Sequence, residues 1–288
     1  MNFRPGVQHL AMALLTTVTF SAQAQQIDNS ALEKEDFRAH QTTYGLVYRL
    51  PDNVTDTLNQ TIRDPLQQTL IQLKLNAEAS TFNLPHVTVV HIHSADTDTP
   101  RKMLKALPKL PPVLKGVVLK NFYTTEAAKG AGHPWWLDLG VVKSGTAYEE
   151  MMAFNTRATA AMAPLRDGPL PRVTGPVYAK MAPAGQKLVQ TVGVIGVNVV
   201  ESGKVLEAYN PHTTLVYSMT RLTPELQQAM NEMADRFNKL LPDGMTADFR
   251  AVSIVELAFS GNVLREIYRV NLEDGSIINV ANGEKVTP

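Results

Sequence analysis

The sequence predicts an α+β fold with two related lobes, each built around one copy of a short motif. Three observations predict it. Runs of β-favouring residues alternate with amphipathic helical segments. The pattern Pro-His-x-Thr-aliphatic-Val occurs twice, at 85–90 and at 211–216. Each copy lies in a predicted strand that precedes a predicted helix, which indicates a long internal duplication and not a solenoid, whose period is about 20–50 residues.

The first half of the chain is predicted to contain strand, helix, motif strand, helix, strand, strand and helix. The first strand, 44–50, ends at Pro51, which is typical of a turn. Apolar residues at largely helical spacing predict a helix over 54–75. The first motif strand covers 84–92. After it, the same criteria predict a helix at 100–110, strands at 114–123 and 135–142, and an Ala- and Met-rich helix at 146–165.

The second half repeats the order of motif strand, helix, strand and strand. Prolines punctuate the segment 168–207, and Ser202-Gly203 is typical of a hairpin turn, so we interpret this segment as an inserted hairpin. Thr223 and Pro224 predict a helix start, because they supply an N-cap and a first-turn proline. The predicted elements are a motif strand at 209–219, a helix ending near 241, strands at 247–259 and 263–272, and a turn at 273–275.

The N-terminus has the pattern of an export signal. Arg4 precedes an apolar stretch over 10–20, and Ala22-Gln23-Ala24 forms a small-x-small cleavage site. The stretch is shorter than the roughly 20 apolar residues that span a bilayer; the alternative is a buried N-terminal helix. We expect cleavage after Ala24 and a periplasmic or secreted protein. The expected divisions are a signal peptide at 1–24, a flexible lead-in at 25–42 and a single bilobal domain at 43–288.

Composition excludes several classes of function. The absence of cysteine excludes thiol nucleophiles, zinc–thiolate sites and iron–sulfur clusters. The chain has 27 Lys and Arg against 27 Asp and Glu, so it lacks the global basic field of proteins that bind duplex DNA. We therefore expect a small substrate, no duplex DNA partner, no stable membrane insertion after signal cleavage, and a monomer.

The two motifs supply matched pairs of polar side chains. Residues i and i+2 of a strand point to the same face, so His86 lies beside Thr88 and His212 beside Thr214. Imidazoles act as acid or base near neutral pH, and hydroxyls donate hydrogen bonds to phosphoryl oxygens. The set suits acid–base chemistry on a phosphate with no metal or cofactor. For a single histidine, a structural role at a strand end would be the simpler interpretation.

The motifs and the elements around them resemble the 2H phosphoesterase superfamily, which includes bacterial 2′-5′ RNA ligases and 2′,3′-cyclic phosphodiesterases. Two His-x-Thr/Ser-x motifs define that superfamily, and here they are His86-Val87-Thr88-Val89 and His212-Thr213-Thr214-Leu215. The lead strand with its helix, the aromatic strand at 133–139 and the helix at 146–165 follow the same order. The resemblance covers residues 43–270.

The resemblance implies two pseudo-symmetric lobes with antiparallel sheets and flanking helices around a central cleft. His86 and His212 would flank one scissile phosphate, with the assignment of base and acid left open, and Thr88 and Thr214 would bind its oxygens. The implied activity is hydrolysis of a cyclic or RNA-type phosphodiester, such as a 2′,3′-cyclic nucleotide or an RNA end. One alternative is 2′-5′ RNA ligation, and another is a non-catalytic envelope protein that binds nucleotide or phosphate.

The chain departs from the family pattern at two motif positions. Tyr217 stands where the second motif often continues to an arginine, and His91 stands where the first motif has a Phe-like residue. The segment 168–207 is longer than a typical connection. These departures leave the acid–base pair intact and bear on the choice of substrate.

Further side chains are weaker candidates. Trp135 or Trp136 could stack a nucleobase, although strand alternation lets only one of them face the cleft, and Tyr209 and Tyr217 are possible substrate contacts. His91 and His93 form a His-x-His pair of the kind that binds metals. In an unbroken strand their parity is opposite to that of His86, which turns them away from the site, and we expect no metal there.

Overall fold

The structure is a computed structural model that describes residues 42–74, 79–81, 85–124, 135–165, 199–201, 204–207, 209–218, 224–257 and 262–288. The expected export signal, nearly all of the lead-in and most of the segment 168–207 lie outside these residues. The Ser202-Gly203 turn and the helix cap Thr223 lie outside them as well.

The described elements are twelve strands and five α-helices. The strands are β1 (Thr42–Arg49), β2 (Ala79–Thr81), β3 (His86–Ser94), β4 (Leu114–Thr124), β5 (Trp135–Val141), β6 (Val199–Glu201), β7 (Lys204–Glu207), β8 (His212–Ser218), β9 (Met245–Phe249), β10 (Ala251–Leu257), β11 (Val263–Asn271) and β12 (Ile277–Asn279). The helices are α1 (Asp52–Leu58), α2 (Asp64–Gln72), α3 (Thr99–Lys105), α4 (Thr146–Met162) and α5 (Pro224–Leu240).

Two five-stranded antiparallel sheets organise these elements. The first sheet has the order β12-β11-β10-β1-β3, and the second has the order β2-β8-β5-β4-β9. Each sheet therefore holds one motif strand, β3 or β8. This arrangement confirms the predicted α+β class with antiparallel sheets. Strands β6 and β7 pair antiparallel in a separate two-stranded sheet.

The sheets are not built from consecutive halves of the chain, as the order of predicted elements suggested. Strands β4 and β5 precede the second motif by sequence and pair within its sheet, whereas β10 to β12 end the chain and pair beside β1. The predicted single strand at 247–259 is two strands, β9 and β10, which belong to different sheets. The chain changes sheet at Arg250, whose carbonyl accepts a hydrogen bond from the Leu272 amide at 2.9 Å.

One continuous hydrophobic core joins the two sheets and the helices. The fully buried ring of Tyr48 on β1 lies 5.9 Å from the ring of Phe154 on α4 and 5.5 Å from that of Phe249 on β9. Because tilted aromatic pairs at these separations are favourable, this cluster fixes the first sheet, the helix and the second sheet against one another.

The predicted helix at 54–75 consists of α1 and α2 with a π-helical turn, Asn59–Arg63, between them. Pro65 in the first turn of α2 explains the irregular turn. Proline has no N–H donor, and its ring would clash with the preceding turn of a regular α-helix. No helix among the described residues has the length and hydropathy required to cross a bilayer.

Candidate active site at the two motif strands

The first motif strand contains a β-bulge directly after its threonine. Thr88 pairs with Val47 of β1. The next residue to be paired on β1, Leu46, faces Val90, so Val89 is an extra residue in β3. An extra residue reverses the face on which the following side chains lie.

The bulge corrects the prediction for His91 and His93. Both were expected to point away from His86, but they pair with Gly45 and Thr43 of β1 and lie on the face of His86 and Thr88. The Thr43 hydroxyl lies 3.0 Å from Nδ1 of the buried His93. Among the described residues, no group of three or more potential ligands is placed to hold a metal ion.

A buried amide supports the bulge. The side-chain Nδ2 of Asn155 on α4 donates a hydrogen bond to the Val89 carbonyl at 2.7 Å, and Asn155 is fully buried. A bulge leaves backbone groups of the extra residue out of the ladder, and buried carbonyls require a partner. Asn155 supplies that partner from outside the sheet.

The second motif strand contains a bulge at the equivalent position. Thr214 pairs with Asp138 of β5, whereas Val216 already pairs with Leu137, so Leu215 is the extra residue. As a result Tyr217 lies on the face of His212 and Thr214. The two motifs therefore share more than their letters, because each presents His, then Thr, then the fifth residue after the His on one face.

Side-chain hydrogen bonds tie the second motif to the outer edge of β3. The Thr213 hydroxyl donates to the His86 carbonyl at 3.0 Å, and the Tyr209 hydroxyl donates to the Thr88 carbonyl at 2.5 Å. Burial raises the pKa of Tyr209, so its hydroxyl remains a neutral donor. The neighbour of His212 in sequence, Thr213, is therefore hydrogen-bonded directly to the backbone of His86.

Two contacts orient the imidazole of His212. Its Nδ1 lies 2.7 Å from the Asn210 carbonyl oxygen, and a carbonyl only accepts, so Nδ1 carries a proton. Its Nε2 lies 3.7 Å from Oδ2 of Asp138. A hydrogen bond from one ring nitrogen fixes the tautomer and leaves the other nitrogen for proton transfer. In His212 the nitrogen left for proton transfer is therefore Nε2, which lies beside a carboxylate.

Asp138 is a buried carboxyl group with incomplete hydrogen bonding. Burial raises its pKa, while the charge of His212 and a hydrogen bond from the Thr214 hydroxyl oppose the rise. The residue is 3% exposed, and Oδ1 has no hydrogen-bond partner among the residues described. Buried carboxylates with an unsatisfied oxygen are costly, which makes this one a candidate for a functional role.

A tyrosine and a glycine complete the surroundings of His212. Gly140 is the register partner of His212, and a Cβ there would lie 3.2 Å from the Lys120 carbonyl oxygen and 3.4 Å from the ring of Tyr123. Nδ2 of Asn210 donates to the Tyr123 hydroxyl at 3.3 Å. Burial and the neighbouring Asp138 raise the pKa of Tyr123, so it stays protonated. Glycine at this position avoids a tight contact with the backbone of β4.

An aromatic pair lies on the same face as the second motif. The rings of Trp136 and Tyr217 are stacked at 6.3 Å with an interplanar angle of 10°. Both side chains are partly exposed, as is required for contact with a ligand. Trp135 is fully buried in the core on the opposite face of β5, so the structure places Trp136 and not Trp135 at the site.

The structure places the motif residues that the sequence singled out on the two motif strands, one set on each strand. His86 and Thr88 share one face of β3, and His212, Thr214 and Tyr217 share one face of β8. Tyr209 is buried, and its hydroxyl is hydrogen-bonded to the first motif, so it is not an exposed contact. The sequence analysis missed three neighbours of His212, namely Asp138, Tyr123 and Asn210. An aspartate within the apolar run Trp-Trp-Leu-Asp-Leu was a usable signal, because charged residues are rarely fully buried without a partner.

Comparisons with known proteins complete the description. No family model matches the chain, and no curated protein matches it. A conserved protein of unknown function from Agrobacterium tumefaciens, ATU0111, is similar in structure with 11% identity, a TM-score of 0.43, and coverage of 82% of this chain and 90% of that one. Usb1 from Kluyveromyces marxianus is similar with 10% identity, a TM-score of 0.35, and coverage of 78% and 96%. At these values neither similarity bears on function, which rests on the residues of the site.

Proposed function

We propose that the protein hydrolyses a cyclic or RNA-type phosphodiester through His86 and His212, by acid–base catalysis without a metal. The observation that carries the proposal is the equivalent geometry of the two motifs. Each strand presents a histidine and a threonine on one face, with a bulge directly after the threonine. The Thr213 hydroxyl joins the two strands through the His86 carbonyl.

In the proposed reaction His212 is the acid and His86 is the base. The carboxylate of Asp138, 3.7 Å from Nε2 of His212, offsets the positive charge that this imidazole carries while it holds a proton. His86 takes a proton from water as the water oxygen bonds to phosphorus. The bond from phosphorus to the ribose oxygen breaks, and that oxygen receives the proton from Nε2 of His212.

The threonines would stabilise the charge that develops on the phosphoryl oxygens. Thr88 and Thr214 share faces with the two histidines, and hydroxyl donors fixed in place stabilise a transition state without reorganisation. The stacked pair of Trp136 and Tyr217 offers an aromatic surface for a nucleobase. We also propose that the protein is exported from the cytoplasm, because its N-terminus has the pattern of an export signal.

The test is hydrolysis of 2′,3′-cyclic AMP, followed by chromatography of the products. We expect turnover by the wild type and a loss of at least 100-fold in both His86→Ala and His212→Ala, since positioned acid–base groups contribute about 10²–10⁴-fold. His93→Ala is the matched control, because His93 lies near the other end of β3, about 20 Å along the strand from His86. Turnover that survives in either site variant, with circular dichroism showing a folded chain, would contradict the proposal.

A further inference from the structure

A cluster of two arginines and a glutamate lies on the face of the first sheet that carries His86. Arg49 of β1 is the register partner of His86. Ser253 of β10 pairs with Arg269 of β11 and, on its other side, with the β1 residue that also pairs with Thr88. Paired residues share a face, so both arginines lie on the face of the first motif.

Arg269 is held rigidly by its neighbours. Its Nε and NH2 donate to the two carboxylate oxygens of Glu266 at 2.8 and 2.7 Å. The Ser253 hydroxyl donates to the same carboxylate at 2.7 Å. Burial raises the pKa of Glu266, but the hydrogen bonds from Arg269 and Ser253 outweigh it and lower the pKa overall. One edge of the Arg269 guanidinium is thereby fixed, and its remaining NH1 edge faces away from that carboxylate.

The guanidinium group of Arg49 is held less closely than that of Arg269. Within the part of the chain that the structure describes, its ion pairs are with Asp52 at 3.7 Å and Glu266 at 3.9 Å, both beyond hydrogen-bond distance. The side chain of Asp52 is 90% exposed and therefore well solvated. A guanidinium has five N–H donors that match the oxygens of a phosphate. Arg49 thus holds donors that a ligand can engage, next to a second arginine.

We propose that Arg49 and Arg269 form a second phosphate subsite that selects RNA chain ends over free cyclic mononucleotides. The inference rests on the proposed function. Glu266 is on β11, two strands from β1, and strands are about 4.8 Å apart. Strand β3, which carries the scissile phosphate, is one spacing beyond β1, so the guanidinium groups beside Glu266 lie about 10–14 Å across the sheet from it. A further phosphate of the same RNA chain reaches this distance, and a lone cyclic phosphate does not.

The test measures binding, so it does not depend on turnover. The probe is a fluorescein-labelled uridine trinucleotide with a 3′-phosphate in place of a cyclic end; fluorescence anisotropy gives its Kd, and chromatography after each titration checks that the probe is intact. A second probe carries neutral methylphosphonate links in place of the internal phosphates. The variants are Arg49→Gln and Arg49→Lys. Arg265→Gln is the matched control, because Arg265 is on the same strand as Arg269 but pairs with Glu256 on the other face.

We expect Arg49→Gln to weaken binding of the charged trinucleotide at least tenfold and to leave the neutral-linked probe unchanged. The slope of log Kd against log salt should fall by about 0.7, the value for one lost contact to a single strand. The Kd of Arg49→Lys should lie between those of the wild type and Arg49→Gln, because lysine keeps the charge and loses the bidentate donors of the guanidinium. If Arg49→Gln unfolds, the comparison is made with Arg49→Lys.

Several results would overturn the subsite. These are equal binding of the trinucleotide by wild type and Arg49→Gln, equal weakening of both probes, an equal loss in Arg265→Gln, or no binding of the trinucleotide by the wild type. Failure of the proposed function is a separate result. It would appear as absent hydrolysis of the cyclic nucleotide, whatever the binding comparison shows.

Discussion

Replacement of Asp138 by asparagine should change catalysis and stability in opposite directions. The substitution keeps the shape of the side chain and removes its charge, which lies 3.7 Å from Nε2 of His212. Two unit charges at about 4 Å interact by about 1 kcal/mol in water and about 4 kcal/mol at an effective dielectric constant near 20. His212 is about one-third exposed, so we expect its proton-carrying acid form to lose about 1–2 kcal/mol of stabilisation, which lowers kcat/KM at neutral pH by up to about 5–30-fold.

The same substitution should make the folded protein more stable at neutral pH. Burial raises the pKa of Asp138 above its ordinary value, so the folded state binds this proton more tightly than the unfolded chain. The contribution of the group to stability is present at low pH and is lost as pH rises from the ordinary value through the raised one. Asparagine is neutral throughout, and we expect Asp138→Asn to gain about 1–3 kcal/mol at pH 7 and nothing below pH ~3.

The assay pairs steady-state hydrolysis of 2′,3′-cyclic AMP with urea unfolding at pH 7 and at pH 3. Asp235→Asn is the control, because Asp235 lies on the exposed side of α5. An unchanged kcat/KM in Asp138→Asn would refute the role of the carboxylate. A parallel loss of activity and stability would instead make Asp138 a structural residue.

Three further predictions follow from the bulge, the aromatic pair and the absence of a metal from the proposed mechanism. Asn155→Ala removes the amide that donates to the Val89 carbonyl, and we expect a loss of about 1–3 kcal/mol in urea unfolding; full stability would contradict the account of the bulge. Trp136→Ala removes the partner of Tyr217 and should raise KM for a cyclic nucleotide by about 5–150-fold, with kcat changed less, since base stacking contributes about 1–3 kcal/mol; an unchanged KM would exclude stacking. Treatment with EDTA should leave turnover unchanged, and loss of turnover that zinc restores would implicate His91 and His93.

The sequence predicted the fold class and the paired motifs because both depend on local patterns. Strand alternation placed His86 beside Thr88 and His212 beside Thr214, since no irregularity lies between the members of each pair. The same rule failed for His91, which lies beyond a bulge. A bulge depends on the pairing of two strands and on the distant Asn155, so the motif segment alone does not reveal it.

Long-range pairing accounts for the other differences. The run 247–259 is β-favouring throughout and shows no break at Arg250. The chain nevertheless changes sheet there, because β9 pairs with β4 and β10 pairs with β1 and β11. The choice between Trp135 and Trp136 also depends on which face of β5 packs on the core. Asp138 was visible as a charge in an apolar strand, but its proximity to His212 follows only from the register of β5 with β8.

The central claim is that two imidazoles act as a base and an acid with assigned roles, and the pH dependence of kcat/KM for 2′,3′-cyclic AMP tests it most directly. We expect a bell-shaped profile for the wild type between pH 5 and pH 9. The residual activity of His86→Ala should lose the acidic limb, where the base becomes protonated. That of His212→Ala should lose the alkaline limb, where the acid loses its proton. A flat wild-type profile, or limbs that persist in both variants, would contradict the two-histidine mechanism.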